Sequence, residues 1–373
     1  MDDIKQEVAA KVNPYEDTLR LINDTGYDHG DRTGVGRRSI TGVMIKYDLS
    51  TGDVPVPTTR QVFYKGSIKE LEWFIKGSSD AAELKALGAS FWDRWCVKEE
   101  NIDAFIEKYI PAEARSDALR EAFIAEHLNK IGPMYGAMWR NAPNSQYAPF
   151  WPDIPMDEYP SDKLDLWKSQ YEEMLEAGGG EIDITLEAFC KDQYYTTIDQ
   201  LNELVRNLKT RPYSARLLIT AWVPEFVPFE SLGPEENVML KKGSLAACHS
   251  SFQCFVRPPK EEGGRKTLSL LMYQRSADWP VGVPHNTTQY AVLLHVLAQV
   301  TDMDVGEFIH MLGDAHIYFS QIDKVPTQLE REPYPFPKIK INPELKDIFK
   351  FKASDVEIVG YESHPDIKYE VAK

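Results

Sequence analysis

The sequence predicts an α+β fold, and three observations carry that prediction. Residues 287–301 (TTQYAVLLHVLAQVT) form an apolar stretch too long for a strand, which fits a buried helix. Residues 216–223 (RLLITAWV), 250–257 (SSFQCFVR) and 267–274 (TLSLLMYQ) read as strands around it. Residues 38–48 (RSITGVMIKYD) alternate with a period of two, as a half-buried strand does. Several β-rich segments around one central helix give a mixed sheet with helices about it.

The remaining elements follow in order. Residues 14–24 read as a short helix. Residues 66–77 (GSIKELEWFIKG) place Ile68, Leu71, Phe74 and Ile75 at helical spacing. Two stretches read as insertions: 97–131 is charged and helix-prone, and 143–195 carries Pro, Tyr and Asp with an AGGGE break. Both are expected to be surface elaborations, because loops tolerate length at modest entropic cost. No internal repeat and no low-complexity tract is present, so one domain over 1–373 is expected.

Composition excludes several classes. Hydrophobic residues make up 43% and charged residues 27%, an ordinary globular balance. The formal net charge of -16 opposes non-specific duplex binding, which needs a broad basic surface. It leaves room for a small anion, since a few converging arginines dominate a local field. The four cysteines, Cys96, Cys190, Cys248 and Cys254, form no CxxC pair, which removes the support for a zinc ribbon or a thioredoxin-type site. Few cysteines in a long chain fit a reducing cytosol. The first residues are charged and lack a signal-peptide core, and no run of 18 apolar residues exists. A cytoplasmic protein with no membrane and no nucleic-acid partner is expected. His295, His310 and His316 show no HExxH-like spacing, and no metal site is expected.

Cys248 lies in SLAACHSSFQCFV, a loop entering a strand. A cysteine there is ordinarily buried packing. It becomes a useful nucleophile when positive charge raises its thiolate fraction. The candidate arginines are Arg275 in YQRSAD, Arg32 in GDRTGVGRRS and Arg216 in SARLL. Arg32 with Gly34 and Gly36 forms a loop whose amides and guanidinium suit a phosphate, although its spacing is not a Walker A and a solvated turn reads the same way. Arg275 and Ser276, at a strand end, either hold phosphate or cap a turn.

Taken in order, DRTGVG, TTR (58–60), KELEWF (69–74), FWDRW (91–95), GPMYGAMWR (132–140), SARLLITAW (214–222), ACH (247–249), YQRSAD (273–278), VGVPHNTTQYA (281–291) and GDAHIYFSQ (313–321) closely resemble thymidylate synthase and its relatives, the pyrimidine hydroxymethylases. The resemblance covers nearly the whole chain apart from the two insertions and a shorter one near 228–242. It implies the thymidylate synthase fold, and a reaction that adds a one-carbon unit from 5,10-methylenetetrahydrofolate to C5 of a pyrimidine deoxynucleotide.

By that resemblance Cys248 attacks C6 of the ring, Glu70 organises water and moves protons at O4 and C5, and Tyr135 helps deprotonate C5. Glu72 is the nearby decoy, and His249 reads as structural. Arg32, Arg216, Arg275 and Ser276 match phosphate positions, with Arg216 supplied across an isologous homodimer. The family usually has two adjacent arginines there, and the first is Ala215 in this chain. His316 and Tyr318 resemble the pair on the 3′-hydroxyl. Asn286 aligns with the base-reading asparagine, whose one acceptor and one donor match uracil; an aspartate at this position marks the dCMP enzymes. Trp92, Trp95, Asp278 and Gly282 match folate contacts, and His285 stands there in place of a usual phenylalanine. His285, the Trp279-Pro280 pair and Lys373 are departures expected on the folate side, where a more polar lid admits water. These give 5-hydroxymethyl-dUMP as the expected product, an activity known in the family from bacteriophages with modified DNA. Ordinary thymidylate synthesis, dCMP hydroxymethylation and a catalytically dead nucleotide- or RNA-binding paralogue are the alternatives.

Overall fold

The computed structural model describes residues 13–144, 154–177 and 184–372. Its strands run as β1 (Tyr27–His29), β2 (Arg37–Asp48), β3 (Ala142–Pro143), β4 (Thr197–Ile198), β5 (Leu218–Thr220), β6 (His249–Arg257), β7 (Thr267–Asp278), β8 (Asp304–Tyr318), β9 (Lys338–Ile341) and β10 (Val356–Val359). Six of them build a mixed sheet in the order β1-β2-β8-β7-β6-β5; β9 with β10 and β3 with β4 form small separate pairs. Only β7 and β8 run parallel within the large sheet. A parallel pair needs a crossover, and helix Gly282–Val300 supplies it. Val283, Tyr290, Leu293, Leu294 and Leu297 are all buried, so this helix has no solvent stripe and sits inside the fold. It packs on β7, on β8 and on helix Tyr64–Ile75.

The α+β prediction holds, and so do its segments, except that the strand expected over 216–223 shrinks to β5, Leu218–Thr220. The expected helix at 14–24 is Pro14–Thr25, that at 66–77 is Tyr64–Ile75, and the alternating segment is β2. Strand β8, at 15 residues, lies outside those expectations. Its sequence DVGEFIHMLGDAHIY mixes glycine, aspartate and histidine into the strand, residues that blur strand propensity. Its place between β2 and β7 compensates, with pairing on both sides along most of its length.

The inserted segments have cores of their own. Helices Glu99–Tyr109 and Asp117–His127 bury Ile102, Phe105 and Ile106 against Val238 and Met239 of helix Pro234–Met239. Lys108 and Lys241 of the two parts pair with Glu236 and Glu126 at 2.6 and 3.2 Å. The segments near 97–131 and 228–242, distant in sequence, thus form one unit. In the second stretch, Tyr159, Trp167, Cys190 and Tyr194 make another small core. Arg140 pins it to the domain: buried, it holds Asp199 at 2.8 Å and Asp162 at 2.9 Å. A buried guanidinium needs such full pairing. Part of the AGGGE break lies outside the described residues.

One face of the large sheet packs on the central helix; the other is open. Met44, Met311 and Tyr273 stand opposite one another across β2, β8 and β7, and they are 60%, 37% and 38% exposed. Leu218 and Phe255 on β5 and β6 are exposed as well.

Candidate active site

Cys248 immediately precedes β6. A register shift lies between His249 and Ser251, so β6 carries an irregularity just past the cysteine. Bulges of this kind re-aim side chains beside active sites. Of the four cysteines, Cys96, Cys190 and Cys254 are buried and Cys248 alone is half-buried. Its N–H donates to the Tyr135 hydroxyl at 3.0 Å, and its carbonyl accepts the Arg275 N–H at 2.6 Å.

Arg275 turns its guanidinium onto the loop before the cysteine. Nε reaches the Ala247 carbonyl at 3.3 Å, Nη2 the Ala246 carbonyl at 3.2 Å, and the group lies over Trp222. Burial pushes the Cys248 thiol above its ordinary range, and the nearby Arg275 charge offsets only part of that. Convergent arginines were expected to favour the thiolate; here desolvation outweighs the one that arrives.

Tyr135 is held from several sides. Its ring stacks on His249 at 4.0 Å and on Phe74 at 5.1 Å. Gly136 makes this approach possible, because a Cβ there would meet the Phe74 backbone at 2.4 Å. Tyr135 itself has φ +41°, a conformation that favours glycine and marks strain at a functional position. Burial raises its pKa far above the usual phenol value, so it stays protonated. His249 bonds Tyr290 at 2.9 Å, and burial lowers its pKa to about 3, leaving it a neutral packing partner.

Glu70, on helix Tyr64–Ile75, is buried. One oxygen accepts the Trp92 indole N–H at 2.7 Å, and the other accepts the Gln289 amide at 3.1 Å. Desolvation raises its pKa to about 7, against the pull of both hydrogen bonds. Its charge acts on Tyr135, which in turn touches Cys248. Glu72 points elsewhere, accepting the Ala353 N–H at 2.7 Å.

The pyrimidine-reading candidate Asn286 sits in the first turn of the central helix. Its Oδ1 accepts the Gln274 amide at 3.0 Å. His316 is buried, with Nδ1 3.4 Å from Asp314, and its ring meets that of Tyr318 edge-on at 5.0 Å. Asp314 also pairs with Arg37 at 2.8 Å. Ser276 lies opposite Asp314 across β7 and β8. Arg32 and Arg216 are exposed on loops, and neither guanidinium has a side-chain partner among the described residues.

Residues proposed for folate line the neighbouring side. Asp278 accepts the Val281 N–H and the Gln321 amide, and burial raises its pKa to about 6. At Gly282 an added Cβ would meet only ordinary contacts, with Asn286 at 3.5 Å and Asp278 at 3.9 Å. His285 bonds Ser67 at 2.9 Å and lies 4.9 Å from the Phe91 ring; burial lowers its pKa to about 4. A cavity of about 580 Å³ opens beside it, lined by Arg60, Phe63, Tyr64, Tyr361 and Asp366. That size suits a small-molecule ligand, and Arg60 on its wall donates to the Gln61 and Pro280 carbonyls. Trp92 is buried against Trp73 and Tyr135, whereas Trp95 is partly exposed.

One expected departure changes meaning. Trp279 does not face the folate side: it is buried, stacks on Tyr15 at 5.7 Å and donates to the Tyr15 carbonyl at 3.1 Å. It lies in the turn that follows β7 and packs under helix Pro14–Thr25. Lys373 lies outside the described residues. Sequence reasoning also left Gln274, Gln289, His310 and Arg60 unassigned. Gln274, Gln289 and Arg60 stand inside quoted motifs, and that adjacency was the available signal. Among the described residues no group of three or more His, Cys, Asp and Glu is placed to hold a metal ion, and no helix is long and apolar enough to cross a membrane.

The thymidylate synthase family model matches residues 13–373. That match spans nearly the whole chain, including the Cys248 loop, the Glu70 helix and both partners of the parallel strand pair, and the chain belongs to the thymidylate synthase family of folate-dependent one-carbon transferases.

Proposed function

We propose that this enzyme converts dUMP to 5-hydroxymethyl-dUMP. Cys248 forms a bond from Sγ to C6, the C5–C6 π pair moves toward C5 and O4, and the thiol proton is lost. C5 captures the methylene of 5,10-methylenetetrahydrofolate as its bond to N10 breaks, and loss of the C5 proton to water then breaks its bond to N5 and releases tetrahydrofolate. Protonated Tyr135 relays the C5 proton rather than acting as a phenolate. The nucleotide then carries an exocyclic methylene; water adds to it, its proton passes to Glu70, and Sγ leaves C6 as the ring double bond returns. Arg32, Arg275 and Ser276 hold the phosphate, and His316 with Tyr318 holds the sugar. Trp95, Asp278, Gly282 and His285 flank the folate.

The observation that carries the hydroxymethyl product is the polar His285–Ser67 pair, 2.9 Å apart on the folate side, which supports water access. Glu70, a buried carboxyl pushed up to about 7 and held by two neutral donors, then takes the proton of that water. A second reading, dTMP with dihydrofolate, is favoured by the aromatic cover that Phe63 and Phe91 place beside His285. Product analysis separates them. Hydroxymethyl-dUMP with tetrahydrofolate is expected; dTMP with dihydrofolate refutes the proposal.

The site is completed by a second copy of the chain. The open sheet face through Met44, Met311 and Tyr273 is an apolar patch of the kind that oligomers cover. Arg216 stands exposed just before β5, at the edge of the same sheet, where an isologous partner receives it.

A further inference from the structure

Behind Asn286 runs a hydrogen-bonded chain that the proposed reaction does not use. Gln274 on β7, His310 on β8 and Thr287 on the central helix are all buried. Gln274 Nε2 lies 3.0 Å from Asn286 Oδ1 and 3.2 Å from the Ser276 carbonyl. Gln274 Oε1 lies 2.8 Å from His310 Nε2, and His310 Nδ1 lies 3.3 Å from the Thr287 hydroxyl.

The direction of each bond follows from a single atom. The Ser276 carbonyl can only accept, so the Gln274 atom facing it is the nitrogen. The oxygen of Gln274 therefore faces His310, whose Nε2 must carry the proton. Nδ1 is then an acceptor and Thr287 donates to it. Burial keeps this imidazole neutral, with its pKa lowered to about 3, so it has one proton to place. At the other end, the second hydrogen of Gln274 fixes Oδ1 of Asn286. The Asn286 amide nitrogen is left to face the ring, and Oδ1 keeps one lone pair.

We infer that His310 is a specificity-determining positioning residue: together with the Ser276 carbonyl it holds the Gln274 amide, and through Gln274 fixes which end of the Asn286 carboxamide meets the base, and thereby selects uracil over cytosine. The inference rests on the assignment of Asn286 to base reading. Uracil presents O4 to the fixed amide nitrogen and N3–H to the spare lone pair. Cytosine needs the carboxamide reversed, which turns two amide nitrogens toward each other at Gln274. Gln274 cannot reverse in response, because its oxygen would meet the Ser276 carbonyl and its nitrogen the His310 N–H. The penalty is an unpaired buried polar group at each conflict.

The test compares kcat/KM for dUMP and dCMP in the full-length enzyme. His310→Phe removes the donor, and His310→Gln places an amide nitrogen where Nε2 was. The ratio of dUMP to dCMP is expected to fall roughly 10- to 100-fold in H310F and to stay within about threefold of wild type in H310Q. An unchanged ratio in H310F, or an equal fall in both variants, overturns the inference. Should H310F not fold, long-range nitrogen-15 correlation spectra of the wild type decide instead: the Nε2–H tautomer supports the chain, and the Nδ1–H tautomer overturns it. A wild type that binds no dUMP removes the site assignment as well; a wild type that selects dUMP with H310F selecting it equally removes only this inference.

Discussion

The proposed base half and the proposed phosphate half of the site are built in opposite ways. Around the base, Asn286, Gln274, His310 and Thr287 bond one another in a line, on two strands and a helix that the sheet makes rigid. Around the phosphate, Arg32 and Arg216 are exposed on loops, and Arg275 spends its guanidinium on backbone carbonyls. The difference teaches where each kind of recognition comes from. Reading a ring edge needs fixed donors and acceptors, since a loose carboxamide turns to suit either base. Holding a dianion needs charge nearby, and charge tolerates loose placement. Selectivity should therefore reside in buried residues and affinity in exposed ones.

That contrast breaks most sharply at its junction. Cys248→Ala is expected to lower kcat by at least about 10⁴-fold while dUMP still binds. Mass spectrometry should also show no covalent adduct with 5-fluoro-dUMP and the folate. A residual adduct would place the nucleophile elsewhere.

Glu70→Gln comes next, with a kcat loss of about 10²- to 10⁴-fold. It should also raise stability at neutral pH. Because burial lifts Glu70 from 4.5 to about 7, the folded protein holds its proton more tightly than the unfolded chain. Wild-type stability contributed by this group is present below pH 4.5, falls as pH rises to about 7, and is flat above. The variant lacks this loss, so its advantage at pH 8 over pH 4.5 is roughly 3 kcal/mol, readable by denaturant titration. Gln289 can turn its Oε1, which has no partner, toward the new amide. An advantage independent of pH would contradict the burial account.

Selectivity follows. Asn286→Asp removes the donor for O4 while leaving an acceptor for Gln274, and should move kcat/KM toward dCMP by roughly 10- to 100-fold. Unchanged preference would assign base reading to another group. The smallest effect lies on the exposed side: Arg216→Ala should raise KM for dUMP by about tenfold with a lesser change in kcat. If the partner supplies Arg216, mixing R216A with excess C248A subunits restores the wild-type KM, because one site of each mixed dimer then carries neither lesion. No restoration would deny the shared site.

The base half was also the half less legible in sequence. Periodicity found the central helix and the Glu70 helix because Ile68, Leu71, Phe74 and Ile75 repeat at helical spacing. Ordered motifs located Cys248, Tyr135 and Asn286. His310 was invisible for two reasons. It lies in β8, whose glycines and aspartates hide the strand. Its partner Gln274 is 36 positions away, joined to it only by the parallel pairing. Trp279 was misplaced because adjacency to Asp278 reads as shared function, whereas its partner Tyr15 is 264 positions away in sequence. The insertions' joint core needed Met239 to meet Phe105, a contact that no local pattern encodes.

The most direct test of the reaction is the mass of the nucleotide product formed from dUMP in water labelled with oxygen-18, with the folate deuterated at C6. The account predicts a hydroxymethyl group carrying one oxygen-18 and no deuterium. A methyl group carrying deuterium and no oxygen-18 would contradict it.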